Sequence, residues 1–132
     1  MKNENKHKHL EFIQLVITRM AYNSFLIKGW VILWLTWVTS FSANLEARLY
    51  IISLSLLIFM LWVLDSYFLA LERKYRDLYN TTRKKDNDDI DYSMKIAKME
   101  LSDIWKAFIS ISMILFYLSL EITSFIFYTL IK

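Results

Sequence analysis

Three ionisable side chains, Lys28, Asp65 and Glu121, lie in stretches of the sequence that are otherwise apolar. If those stretches cross a membrane, a charged residue near the centre costs roughly 2.5–3.5 kcal/mol on insertion scales. Such residues are therefore expected to have a partner or a function. The chemistry open to them is ion pairing between helices, proton transfer, or contact with ions in a pore.

Lys28 and Asp65 are predicted to meet. They fall near the same ends of two neighbouring apolar stretches, and the short connection between the stretches makes these antiparallel, so the two side chains lie at similar depth. Two interpretations stay open from the sequence. One is a structural salt bridge in which Lys28 also snorkels toward water, and the other is a role in gating or proton transfer.

Glu121 lies about halfway along the last apolar stretch, with no basic residue at the same depth. At about 100° per residue it shares a narrow helix face with other polar residues. Since one chain of this size is not expected to bury that stripe, we expect a homo-oligomer in which the stripe lines a pore or oligomer axis. A tight helix interface with a protonated Glu121 and a transport site are the alternatives. The stripe consists of Ser110, Tyr117, Glu121, Ser124 and Tyr128.

Composition argues against other chemistry. The sequence has no Cys, one Gly (Gly29) and no Pro, and its two His residues, His7 and His9, lie in a polar N-terminal stretch. Thiol chemistry, a buried Ser–His pair, a His-rich metal site and a glycine-rich phosphate loop are all unsupported. We therefore predict no catalytic residue, no metal site and no cofactor, and expect that the protein is not an enzyme.

The distribution of charge predicts the elements that carry these residues. Of the 132 residues, 56% are hydrophobic and 22% are charged, but the charges avoid three long stretches. Each stretch is long enough to cross a bilayer as a helix. The sequence predicts an all-α integral membrane protein with three transmembrane helices at 25–43, 49–71 and 107–131.

The remaining segments are predicted to be polar and partly helical. Residues 1–9 are predicted to be a disordered tail. Residues 10–24 are predicted to form an N-terminal amphipathic helix that lies on the membrane surface, packs on its neighbours or binds a partner. Residues 72–106 are predicted to form a cytoplasmic helical hairpin. The second span continues through 72–80 as one long helix, 81–91 form an exposed loop, and Asp91 or Ser93 caps a last helix that runs through Lys106 into the third span.

Basic residues set the predicted topology. Of the 16 Lys and Arg residues, only Arg48 and Lys132 lie outside 1–28 and 72–106. The positive-inside rule then places the N-terminus in the cytoplasm and the C-terminus outside. The charges of 72–106 nearly balance, which is typical of a solvated helix surface. A second interpretation is that Arg83, Lys84 and Lys85 meet anionic lipid headgroups or a nucleotide-like ligand.

Two parts of the sequence resemble a family of small bacterial multi-span membrane proteins. The first is HLEFIQLVITRMAYNSFLIKGW at 9–30, with HLEFIQ, RM, NSF and KGW as the shared motifs. The second is LDSYFLALERKYRDLYN at 64–80, which shares D-x-Y-F, E-R and R-x-L-Y. The resemblance omits the third span. Such proteins are similar to the small membrane effectors of antiphage systems, which perturb the inner membrane after a cytoplasmic sensor fires.

The resemblance implies a cluster of polar side chains at the cytoplasmic mouth of the first two spans, where a gate or a docking site would lie. We call this set the collar; it consists of Glu11, Arg19, Asn23, Lys28, Asp65, Glu72, Arg73 and Arg76.

The expected function is that of a pore-forming or membrane-perturbing effector of the bacterial inner membrane, in antiphage defence by abortive infection. Expected partners are membrane lipids, further copies of the chain and a cytoplasmic sensor or effector protein, without direct nucleic-acid binding. The rival interpretation is a membrane anchor or scaffold that recruits a soluble enzyme through its cytoplasmic face. A pore outside defence, like that of a holin, is a further alternative, and a small-molecule exporter fits less well.

Overall fold

A computed structural model describes residues 2–41 and 47–131, and within them it contains four helices and no strand. The helices are α1 (Lys2–Phe41), α2 (Ala47–Lys84), α3 (Leu101–Phe108) and α4 (Ile111–Ile131). The predicted all-α class is confirmed for the described residues.

Helix α1 is much longer than any helix predicted for this region. The stretch predicted to be a disordered tail is helical from Lys2, and the predicted amphipathic helix continues without a break into the first predicted span. No Pro interrupts it, Glu4 and Lys8 pair at 3.2 Å one turn apart, and Ile13 and Ile17 are buried. Residues 42–43 of the predicted span lie outside the described residues.

Helices α1 and α2 form an antiparallel hairpin that determines the length of the molecule. At about 1.5 Å per residue, the 40 residues of α1 span roughly 60 Å. The hydrocarbon core of a bilayer is about 30 Å thick, so about half of the hairpin's length is enough to cross it. The other half extends beyond what a membrane span requires.

The start predicted for the second helix of the 72–106 hairpin is wrong. Residues 85–100 contain no helix, and α3 begins only at Leu101. Asp91 and Ser93 act in turns instead: Asp91 Oδ1 accepts from the Ser93 amide at 2.9 Å, and Ser93 Oγ accepts from the Lys95 amide at 3.2 Å. Such side-chain bonds to nearby amides compete with helix formation.

Helix α3 is short, and it is separated from α4 by a break. A capping box formed by Glu100 and Asp103 starts it. At its end Ser110 Oγ donates to the Ala107 carbonyl at 2.6 Å, and α4 begins at Ile111. The third predicted span is therefore α4 alone, because the first residues of 107–131 belong to the end of α3 and the break.

The core lies where α1, α2 and α4 meet. Residues Ile27 and Val31 of α1 pack with Leu54 and Ile58 of α2, and α4 contributes Met113 and Tyr117.

Among the described residues, two helices are long and apolar enough to cross a membrane: Ile52–Lys84, which is part of α2, and Ile111–Leu130 of α4. In the most apolar 18-residue segment of each helix, only 28% is buried inside the fold for Ile52–Lys84 and 17% for Ile111–Leu130. Large apolar side chains therefore point outward, such as Leu115, which is 68% exposed. This outward apolar surface indicates membrane association.

The stretch 25–41, predicted as a span, is not one of these two. It carries Trp30, Trp34 and Trp37 together with Thr and Ser residues, which contribute less to mean hydropathy than aliphatic residues do.

Candidate functional site

The carboxylate of Asp65 on α2 is fully buried in the apolar region. Ser24 and Lys28 of α1 lie one helical turn apart and both donate to its carboxylate, Ser24 to Oδ1 and Lys28 to Oδ2. Lys28 Nζ also donates to Ser24 Oγ at 2.8 Å. The predicted ion pair between Lys28 and Asp65 is thus present, and Ser24 completes it.

Helix α4 joins the same network through Tyr117. Its hydroxyl donates to Asp65 Oδ2 at 3.0 Å and lies 3.4 Å from the Leu61 carbonyl oxygen. Asp65 therefore accepts from side chains of two other helices, and one carboxylate fixes the register of α1, α2 and α4. Sequence reasoning missed this contact; the similar depth of the two residues was the available signal.

A layer of stacked rings covers the network on the side of α3. The Trp62 ring lies between Phe108, at 4.2 Å between ring centroids, and Tyr117, at 5.4 Å. Trp62 Nε1 donates to the Phe108 carbonyl at 3.2 Å, and Trp105 stacks on Phe108 at 5.6 Å. The end of α3 is thereby tied to the buried carboxylate.

This geometry suits an ion pair that holds helices together. Asp65 is closed off by three donors and Tyr117 is fully buried. Of these donors Lys28 is partly exposed, so the ion pair connects the buried carboxylate to the surface of the fold.

Glu121 has a different environment. Its Oε2 accepts from Ser55 Oγ of α2 at 3.0 Å, and the residue is half-buried. No described Lys or Arg pairs with it. Of the acids in the apolar region it is the one that reaches the outside of the fold.

The rest of the predicted stripe is buried or half-buried within the same chain. Tyr117 and Ser124 are 0% and 1% exposed, Ser110 and Tyr128 are half-buried, and Ser124 Oγ donates to the Leu120 carbonyl at 2.8 Å. The expectation that one chain cannot bury this stripe is therefore wrong for Tyr117 and Ser124, because α2 covers them. Its assignment to an oligomer axis stays a prediction.

The collar does not form one cluster. Lys28 and Asp65 lie inside the fold, whereas Glu11 and Arg19 are exposed on α1. Asn23 is half-buried and makes no hydrogen bond with the rest of the described chain.

The α2 members of the collar have local partners. Glu72 is buried and accepts from Arg76 Nε at 2.7 Å. Arg73 Nη1 donates to the Lys106 carbonyl at 3.3 Å, which links α2 to α3. Collar residues therefore serve several contacts rather than a single gate.

A second link between α2 and α3 was not anticipated. Lys74 Nζ pairs with Asp103 Oδ2 at 2.8 Å, and the same oxygen accepts from the Glu100 amide at 3.0 Å. The hydrogen bond from Lys74 and that from the Glu100 amide hold the pKa of Asp103 below its ordinary value. Asp103 thus both caps α3 and docks it.

No family model, curated protein or solved structure matches the chain. In the part of the chain that the structure describes, no group of three or more His, Asp or Glu side chains is placed to hold a metal ion.

Proposed function

We propose that the chain is a three-span protein of the bacterial inner membrane that assembles as a homo-oligomer and makes the membrane permeable. The two apolar helices supply the second and third spans. The first follows from packing: Ile27 and Val31 of α1 lie against Leu54 and Ile58 of α2. If that part of α2 is in lipid, residues 25–41 of α1 are beside it in lipid.

The orientation follows from the basic residues. The halves of α1 and α2 beyond the apolar core, together with 85–106, carry nearly all of the Lys and Arg. Placing them in the cytoplasm satisfies the positive-inside rule and leaves the C-terminus of α4 outside.

The observation that carries the proposal is Glu121. It lies midway along α4, reaches the outside of the fold, and has Ser55 as its hydrogen-bond partner. An acid at this depth needs protein or water beside it rather than lipid. A second copy of the chain, or a water-filled path between copies, supplies both.

The test is conductance in planar bilayers, with the size of the detergent-solubilised oligomer measured on the same samples. We expect discrete currents from the wild type, currents lost in Glu121→Leu, and altered ion selectivity in Glu121→Gln. Glu11→Gln, which changes an exposed glutamate of α1, is the matched control and should conduct like the wild type. Unchanged currents in both Glu121 variants would contradict the proposal.

A second candidate function is that of an anchor for a soluble partner. It is favoured by exposed apolar side chains in the half of the hairpin that we place in the cytoplasm. There Phe12, Leu15 and Tyr22 of α1 are each more than half exposed. Replacing Phe12 and Leu15 with Ser should remove a co-purifying partner without changing conductance. If conductance falls instead, these side chains serve the pore or the fold.

A role in antiphage defence rests on the resemblance of residues 9–30 and 64–80 to small membrane effectors. The plating efficiency of phages on cells that carry the wild type or Glu121→Leu tests it. We expect protection from the wild type alone; equal plating on both strains would count against a defensive pore.

A further inference from the structure

A cavity of about 150 Å³ lies between α2 and α3, away from the buried network. Its walls are one apolar and five charged side chains: Ala70, Arg73, Lys74, Asp77, Asp103 and Lys106. Neither the proposed pore nor the proposed anchor uses it.

The cations of this cavity are only partly neutralised. Lys74 is paired with Asp103, but Arg73 donates to a backbone carbonyl, not to a carboxylate. The Lys106 ammonium makes no hydrogen bond or ion pair within the described chain, since it is the carbonyl of Lys106 that Arg73 contacts. Asp77 is the remaining acid. Three cations thus face two carboxylates, and two of the cations lack an acidic partner.

The position of α3 determines which anion can reach these cations. Leu101, Trp105 and Ile109 follow one another at every fourth position and are 85%, 62% and 48% exposed. The apolar helix α4 begins at Ile111, only two residues beyond Ile109. If α4 spans the membrane, α3 lies at its cytoplasmic surface, where Trp is enriched.

We propose that the cavity binds the phosphate of an anionic phospholipid. Arg73 and Lys106 provide its charge contacts, while Leu101, Trp105 and Ile109 lie against the acyl chains. The proposal rests on the proposed spanning orientation of α4 but not on pore formation, so loss of conductance and loss of lipid binding are separable results.

The experiment measures lipid retained by the purified protein, by native mass spectrometry after titration with phosphatidylglycerol or phosphatidylcholine. We expect the wild type to retain phosphatidylglycerol preferentially. Lys106→Gln should weaken that retention about 5-fold, and Arg73→Gln with Lys106→Gln about 10- to 30-fold. Lys106→Gln removes a charge that makes no hydrogen bond or ion pair within the described chain, and an unchanged thermal midpoint verifies that the fold is intact.

The matched control is Lys95→Gln with Lys98→Gln, which removes two positive charges from exposed side chains that do not line the cavity. It should leave retention unchanged. Asp77→Asn removes the unpaired acid and should strengthen retention of phosphatidylglycerol.

Three results would overturn the proposal. The first is equal weakening of lipid retention by both double variants, which indicates a diffuse basic surface. The second is unchanged retention in Lys106→Gln. The third is binding of soluble glycerol phosphate that is as tight as binding of the lipid.

Discussion

The buried carboxylate of Asp65 shows how one residue can hold three helices together. Lys28 supplies the compensating charge, and Ser24 and Tyr117 supply further hydrogen bonds. A buried pair with all its donors matched contributes little net stability over apolar residues of equal shape, but loss of one member leaves the other charge uncompensated.

We therefore expect Asp65→Leu to destabilise the protein by about 3–5 kcal/mol, because Lys28 then remains without its partner. Adding Lys28→Met to Asp65→Leu should restore most of that stability, since no charge is then left unpaired. Reversible unfolding of the purified protein in mixed micelles measures both variants. A double variant as unstable as Asp65→Leu alone would show that the carboxylate acts through its other donors.

The hydroxyl of Tyr117 should contribute less. Tyr117→Phe keeps the stacked ring but removes one hydrogen bond to a charged acceptor, for an expected loss of about 1.5–3 kcal/mol in the same assay. Tyr128→Phe on the same helix is the matched control, because the Tyr128 hydroxyl makes no hydrogen bond within the described chain. Equal effects of the two variants would rule out a special role for the bond between Tyr117 and Asp65.

Sequence reasoning found the pairing of Lys28 with Asp65 because an antiparallel connection of two spans fixes their relative depth. It placed Tyr117 on the polar face of the last helix but did not predict the contact of Tyr117 with Asp65 of α2. Periodicity gives the face of a helix, whereas the rotation of that helix about its axis depends on packing across the whole core. Ser24 lies in the NSF motif of the resemblance, whereas Ser55 carried no signal, since isolated Ser residues are common in membrane helices.

At the scale of elements, the unexpected feature is the contrast between α2 and the segment that follows it. Helix α2 continues through its charged half as predicted, but it ends at Lys84, four residues into the predicted loop, and residues 85–100 do not return as a helix. The return path reaches α1 through Tyr92, whose ring lies 5.4 Å from that of His9, and through Lys6, which donates to the Lys85 carbonyl at 2.7 Å. Such tertiary contacts are invisible in a local sequence window.

Docking of α3 on α2 should depend on pH and weaken in acid. The pKa of Asp103 is lowered in the folded protein, chiefly by the hydrogen bond from Lys74. A lowered folded-state pKa means that the stabilisation is fully present above the unfolded value, near pH 4, and is lost as the pH falls through the folded value. Amide exchange in α3 should therefore stay constant between pH 5 and 8, after correction for the intrinsic rate, and lose protection only below about pH 4.

Asp103→Asn is the control for this acid dependence. It should expose α3 to exchange at neutral pH and remove the further loss of protection in acid. A transition that survives in this variant would have to come from another carboxyl group.

The whole molecule combines an apolar half with a charged half along one hairpin. Since α1 and α2 cross from one half to the other without a break, they form a rigid connection between the two environments. Composition predicted the two halves, because charge segregation is a property of the entire chain rather than of any local window. One continuous helix carrying both was predicted for α2 but not for α1.

The absence of Cys makes the orientation testable with single-cysteine variants. A membrane-impermeant maleimide should label Lys132→Cys in cells whose outer membrane has been opened, and should label Lys98→Cys only after the inner membrane is broken. The positive-inside distribution is the reason for this expectation. The opposite labelling pattern would invert the topology while leaving the helix contacts unchanged.

The ion pair between α1 and α2 also has a consequence for biosynthesis. If α1 and α2 cross the membrane as proposed, the first span leaves the ribosome with Lys28 and three Trp residues, and its charge finds a partner only when Asp65 has been synthesised. Each span alone brings an uncompensated charge into lipid, whereas the two together bring a neutral pair. We therefore expect the translocon to hold the first span until the second arrives and to release both as a hairpin, so that delayed translation after the first span would lower the yield of inserted protein.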